Sequence, residues 1–260
     1  MLHRNLNDGY LAITQPAHAW LSGQLATHWG NDLTGEIQPR ADVVLAAEQH
    51  DIGWLEWEAE PTLNPQTGRP KTFRELGTNE HLSVWAPAGP RALVYGPYVA
   101  MLVSMHGTGL YQFHDYSRDT EQEAEAARRF IEHGAQFEQV LLQQMRSDQA
   151  YASYCNDATI TRNRRLVAVC DAISLFMCGG LTEAREIKDV PARDGAITLR
   201  LTPDTANCDI IQVEPWPFSS NGVRLTTVGK KLDATFTEQA AMRSALETAP
   251  WQLIEIVLHQ

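Results

Sequence analysis

The spacing of apolar residues changes along the chain. Over the first two thirds they recur every three or four positions; from about Ala196 they recur every second one. A first helix is expected from Pro16, a favoured first-turn residue, to about Trp29, with His18, Leu21, Leu25 and Trp29 on one face. A second starts near Pro39. Its Ala41, Val44, Leu45 and Glu48 lead to His50-Asp51, and Gly53 is placed to stop it. Pro97 opens another, in which Val99, Leu102, Val103, His106 and Leu110 share a face. Thr120 and Glu123 form a capping box ahead of a long amphipathic helix through Met145, with Phe130, Phe137, Leu141 and Met145 inward. Residues 160–178 are apolar on most sides after Arg165, which predicts a central helix.

In the last quarter, ITLRLT alternates Ile197, Leu199 and Leu201 with Thr198, Arg200 and Thr202. CDIIQVEPW, GVRLTTVG and WQLIEIVLH follow with turn residues between them, and a helix fits near residues 237–247. The expected architecture is mostly α. A helical bundle over residues 1–190 precedes a small antiparallel β-rich domain over residues 196–260. Residues 59–80 hold three Pro and two Gly and read as a long irregular loop. Loops of that length are more often lids than simple connections, so it is expected to cover the His50–Asp51 end of its helix.

Composition narrows the function classes. Hydrophobic residues make up 43% of the 260 and charged residues 20%, which excludes disorder as the main state. Lys and Arg number 21 against 32 Asp and Glu, a net charge of −11. That balance excludes a general nucleic-acid or anionic-membrane binder, and leaves room for a small anionic substrate on a local basic cluster. No apolar stretch reaches the roughly 18 residues of a membrane helix, and the N-terminus lacks a signal-peptide pattern. The four Cys show no C-x-x-C spacing, and Cys170 and Cys178 read as buried thiols. A cytoplasmic setting is the expectation.

The chemistry concentrates in AAEQHDIGW, residues 46–54. An adjacent His-Asp at the end of an apolar helix sends an imidazole and a carboxylate out in different directions, free to converge on one divalent ion. His18 lies one helix upstream. Asp171 lies about 120 residues downstream of Asp51, among Val167, Val169, Cys170, Ile173, Leu175 and Phe176. A buried carboxylate needs a partner; a metal would serve, as would Arg164, Arg165 or a neighbouring helix. His28 suits the C-terminal dipole of its helix. His114-Asp115 has no apolar helix before it and reads as a solvated loop.

The segment AAEQHDIGW resembles the central helix of the HD superfamily of metal-dependent phosphohydrolases, whose usual form is close to AALLHDIGK. QPAHAWLSGQLA and RRLVAVCDAISLF match its upstream His and its final Asp. The likeness covers roughly residues 10–180 as four short matches. It implies an HD-domain-like helical bundle and a metal tetrad of His18, His50, Asp51 and Asp171. Some branches add two His and hold two metals, which brings in His106 and His81. Under that reading Asp51 bridges, and Asp51 and His106 are the catalytic candidates. Many members carry Lys after HD-x-G, where this chain has Trp54. Trp54 and Trp57 suggest an aromatic wall or ordinary core. Arg69, Lys71 and Arg74 offer a basic clamp for substrate or a solvated loop. The overall pattern is most similar to a bacterial HD-like family without an agreed activity. The function expected is a metal-dependent phosphoester hydrolase using one or two ions of Fe, Mn or Zn. A di-iron oxygenase and a non-catalytic metal- or ligand-binding module are the alternatives.

Overall fold

The computed structural model describes residues 1–112 and 114–260. It opens with two strands, β1 (Leu2–Leu6) and β2 (Gly9–Ile13). Then come α1 (Gln15–His28), α2 (Arg40–Gln49), a 3₁₀ turn over Ile52–Trp54 and α3 (Leu55–Ala59). A short ribbon, β3 (Leu63–Asn64) and β4 (Arg69–Pro70), leads to α4 (Thr78–Trp85) and α5 (Ala88–Ala92). The long helices α6 (Pro97–Gln112), α7 (Glu121–Arg146) and α8 (Asp157–Gly179) follow. The chain ends with β5 (Arg185–Pro191), β6 (Ala196–Pro203), β7 (Ile210–Glu214), β8 (Gly222–Leu232), α9 (Gln239–Thr248) and β9 (Trp251–His259).

This corrects the expectation of a mostly α protein with a small β domain. About 51% of the chain is helical and 22% is strand, and seven strands form one curled sheet, a half-barrel. Its order is β1-β2-β8-β9-β7-β6-β5, so strands from both ends of the chain share it. β2 pairs antiparallel with β8 through Tyr10↔Leu232, and β7 pairs parallel with β9 through Ile211↔Leu258. The strands that the apolar pattern missed explain the difference. β1 and β2 are five residues each, too short for a clear alternation. β5 (REIKDVP) is mostly exposed and its register shifts between Ile187 and Val190, which breaks the period of two.

The helices were legible because their signals are local. Thr14 caps α1 by accepting from the Ala17 N–H (3.2 Å). The capping box of Thr120 and Glu123 starts α7, and Asn156 caps α8. Leu141 and Met145 are buried as expected, whereas Leu110 is exposed. Helices α1 and α8 lie directly on the sheet; α2 packs on both and against α6, which in turn carries α7. One apolar core joins Leu21, Leu25, Val167 and Ile173 to Leu199, Val213, Leu225 and Ile256. Successive residues of β2 serve two cores. Leu11 and Ile13 face the helices, while Tyr10 and Ala12 face Met242 and Leu246 of α9. The four cysteines are free thiols, with Cys155, Cys170 and Cys178 buried.

Candidate metal centre

Four helices, α1, α2, α6 and α8, deliver five side chains to one buried point. His18 stands in the first turns of α1, fixed by the Thr14 cap. His50 closes α2 in a helical conformation, and Asp51 follows at φ −99°, ψ 18°, in the sparsely populated bridge region. That change of backbone aims two consecutive side chains at the same place. Asp171 lies in the middle of α8 and His106 in α6. The rings of His50 and His106 are 4.6 Å apart, and those of His18 and His50 are 5.1 Å apart.

Both central imidazoles are held by their outer nitrogens. His50 Nδ1 donates to the Ala47 carbonyl at 2.8 Å, which turns Nε2 inward. His18 Nδ1 donates to Ser174 Oγ at 2.7 Å. Ser174 accepts that bond because its own proton goes to the Asp171 carbonyl (2.8 Å); it also accepts from Ser22 Oγ (2.9 Å). Such outer hydrogen bonds fix ring orientation in His-metal sites. His50 Nε2 then has no hydrogen-bond partner among the described residues, although it is fully buried. It lies 3.4 Å from Asp171 Oδ1 and 3.6 Å from Asp51 Oδ2. His18 Nε2 is 2.6 Å from Asp51 Oδ2 and 3.8 Å from Asp171 Oδ1; His106 Nε2 is 3.7 Å from Asp171 Oδ2.

These spacings fit one ion. Two atoms each about 2.1 Å from a metal, set at a tetrahedral angle, stand about 3.4 Å apart. The contacts of His50 with both carboxylates, and of His18 and His106 with Asp171, all fall near that value. His18, His50 and Asp51 form one set of converging donors, and His50, His106 and Asp171 a second. The buried His/Asp cluster can therefore hold a metal. The chain supplies nitrogen and oxygen donors of the type taken by Zn, Fe and Mn.

The electrostatics agree. Burial alone would strip the charge from His50, but the carboxylates of Asp51 and Asp171 outweigh it and raise its pKa to about 9. Burial pushes both carboxyls up, and the surrounding imidazoles overcome it and hold both below the usual carboxylate range. Burial, with the charge of His50 beside it, takes His106 down to about 4.

The other sequence candidates fall elsewhere. His81 is saturated: Trp85 Nε1 donates to its Nε2 (3.1 Å) and its Nδ1 donates to Tyr111 Oη (2.7 Å). Trp54 is fully buried and packs edge-on to Trp57, Trp85 and His81, so the aromatic wall and the core are the same feature. Gly107 in α6 lets Trp85 close in beside His106, since a Cβ there would meet Trp85 Cε3 at 2.8 Å. Arg69 bonds Asn5 and covers Tyr10, Lys71 pairs with Glu80, and Arg74 stacks on Phe73. All three are thus engaged outside the cluster. Their segment docks by backbone bonds from Phe73 to Met1 and from Phe236 to Gly68. His114 pairs with Asp119, and Asp115 caps the turn over Tyr116–Arg118. Asp171 has no ion pair with either neighbouring arginine: Arg164 bonds Gln112 and Arg165 bonds the carbonyls of Lys188 and Asp189. Sequence reading missed Ser22 and Ser174. Their signal was position, one helical turn after His18 and Asp171 respectively.

Residues 1–234 match the family described as "Protein of unknown function (DUF3891)", and the chain belongs to that family. No curated protein and no solved structure matches it. Among the described residues, no helix is long and apolar enough to cross a membrane.

Proposed function

We propose that this chain is a metal-dependent hydrolase acting on a phosphoester, with a centre of the HD-superfamily type. One observation carries the reading: His50 Nε2 is buried, has no hydrogen-bond partner among the described residues, and is flanked by two carboxylates at ligand spacing. His18, His50, Asp51 and Asp171 would hold the ion. A divalent cation there would polarise a phosphoryl oxygen and acidify a water. The chain's own groups do the rest. His18, His50 and Asp51 are almost completely enclosed, while the Asp171 side chain keeps 15% exposure. Substrate therefore enters on the side of Asp171 and His106. His106, uncharged at neutral pH, can accept a proton at Nε2 as the nucleophilic water attacks.

One ion is the simpler occupancy. The two converging sets share His50, whose single free nitrogen serves one metal, and His81 is already spent on Trp85 and Tyr111. This counts against the di-iron oxygenase. The test is phosphate release from p-nitrophenyl phosphate and bis(p-nitrophenyl) phosphate by chelator-stripped protein, with Mn, Zn or Fe(II) restored. Metal-dependent release that is lost in His50→Gln is expected. Oxygen uptake with Fe(II) and no release would favour the oxygenase. Metal binding with neither activity would leave the non-catalytic module.

A further inference from the structure

A groove of about 460 Å³ runs between α6 and α8, with His106 and Asp171 at one end and Arg164 and Arg165 at the other. Its walls follow from helical spacing. Thr161, Arg164, Ala168 and Asp171 recur every three or four residues on α8, facing Met105, His106, Gly109 and Gln112 on α6. Ala168 leaves the middle open. Gly109 seats the guanidinium, because a Cβ there would meet Arg164 Nη2 at 2.9 Å.

The two arginines are not equivalent. Arg165 is tied to the backbone carbonyls of Lys188 and Asp189 and sits 3.5 Å from Asp189 Oδ2. It straps α8 to β5. Among the described residues, Arg164 donates only to the neutral amide oxygen of Gln112, at 2.8 Å. Among the described residues no carboxylate lies within ion-pair distance of it, although Glu138 feels its charge. A guanidinium offers five donors in a planar fork suited to carboxylate and phosphate, and most of this one is unspent. In a protein of net charge −11, an uncommitted cation beside a metal cluster is a local attraction for an anion.

We infer that Arg164 anchors a second anionic group of the substrate, remote from the reacting phosphoester. Seven residues of α-helix separate Arg164 from Asp171, an advance of about 10 Å. The substrate is thus a small molecule with a phosphoryl group at one end and a carboxylate or phosphate about that far away. This rests on the metal-centre reading, and it places on α8 the substrate-binding charge that Arg69, Lys71 and Arg74 were expected to supply.

The probes are 8-phosphonooctanoate, which carries an anion at each end, and octylphosphonate, which has one. Calorimetric titration of metal-loaded protein should show the two-ended probe binding about tenfold tighter, the size of one partly solvated charge-assisted contact. Arg164→Ala should erase that preference, leave octylphosphonate affinity unchanged, and leave the metal count and melting temperature as they are. Arg164→Lys should keep part of it. A preference that survives Arg164→Ala, or no preference in the native chain, overturns the inference. An Arg164-dependent two-ended probe with no binding of octylphosphonate would keep the anion site and sink the phosphoryl reading. Failure of both probes would remove the anion site, while the metal count decides the centre separately.

Discussion

His18 Nε2 and Asp51 Oδ2 lie 2.6 Å apart, from residues 33 positions apart in the chain. Among the contacts between ligand candidates this is the one too short for two donors of a single ion. It is a hydrogen bond that an ion must open, by roughly 0.8 Å for tetrahedral ligation at typical bond lengths. A crystal structure of the metal-loaded protein should show this pair widened while the His50–Asp171 distance hardly changes. An unchanged short contact beside a bound ion would remove His18 or Asp51 from the ligand set.

Ser174 is not among the ligand candidates, yet it orients His18 and is itself fixed by the Asp171 carbonyl and by Ser22. Ser174→Ala should weaken metal binding by about 10–100-fold, the usual cost of losing a partner that orients a ligand. The fold should remain, because the hydroxyl is replaced without loss of a buried apolar group. Competition with a fluorescent chelator measures it, and an unchanged affinity would make Ser174 a packing residue.

The centre was legible in the sequence, and the sheet was not. His50-Asp51 at a helix end, His18 on an apolar face and Asp171 in an apolar helix are unusual chemistry in ordinary places, and helical periodicity tells where each one points. His106 was legible for the same reason. The sheet depends on pairings between distant segments. β2 reaches β8 across more than 200 residues, and β5 carries four exposed residues in seven. The groove was also hidden. Arg164 reads as one basic residue in the run RNRR, and only the neighbouring Gly109 and Gln112 of another helix reveal that it is uncommitted. Charge in the irregular segment drew attention to Arg69, Lys71 and Arg74 instead.

Just after Asp51 the chain passes close against α4 and α5 at Gly53. A Cβ there would meet the Val84 carbonyl at 2.2 Å and the Ala88 Cβ at 3.1 Å. Gly53→Ala must push the Ile52–Trp54 turn away from α4 and α5. A cost of about 1–3 kcal/mol is expected, as for other overpacked sites, together with weaker metal binding as Asp51 shifts. Urea denaturation of the chelated protein measures the first. A change below about 0.5 kcal/mol would mean the turn can relax freely.

Stability should depend on pH in two windows. His3, His81 and His106 are each taken to about 4, in every case chiefly by burial. The unfolded chain binds protons on them from about pH 6.5 downward while the fold does not. Stability is therefore lost as pH falls from about 6.5 towards 4. His50 acts in the opposite sense. Its pKa of about 9 exceeds the unfolded value, so its contribution is complete below about pH 6.5 and fades as pH rises to about 9. Metal-stripped protein should melt highest near pH 6.5 and fall on both sides. The proton lost on the alkaline side sits on Nε2, since Nδ1 is held by Ala47, so metal affinity should rise over that range. A melting temperature flat from pH 4 to 9 would contradict the buried neutral histidines.

Metal counted per chain by mass spectrometry, on protein purified without chelator, shows whether the His/Asp cluster holds one ion. One ion per chain is expected in the native protein, nearly none in His50→Ala, and one in His81→Ala, whose nitrogens are already bonded within the aromatic core. An unaltered count in His50→Ala, or loss of the ion in His81→Ala, would contradict the one-ion centre.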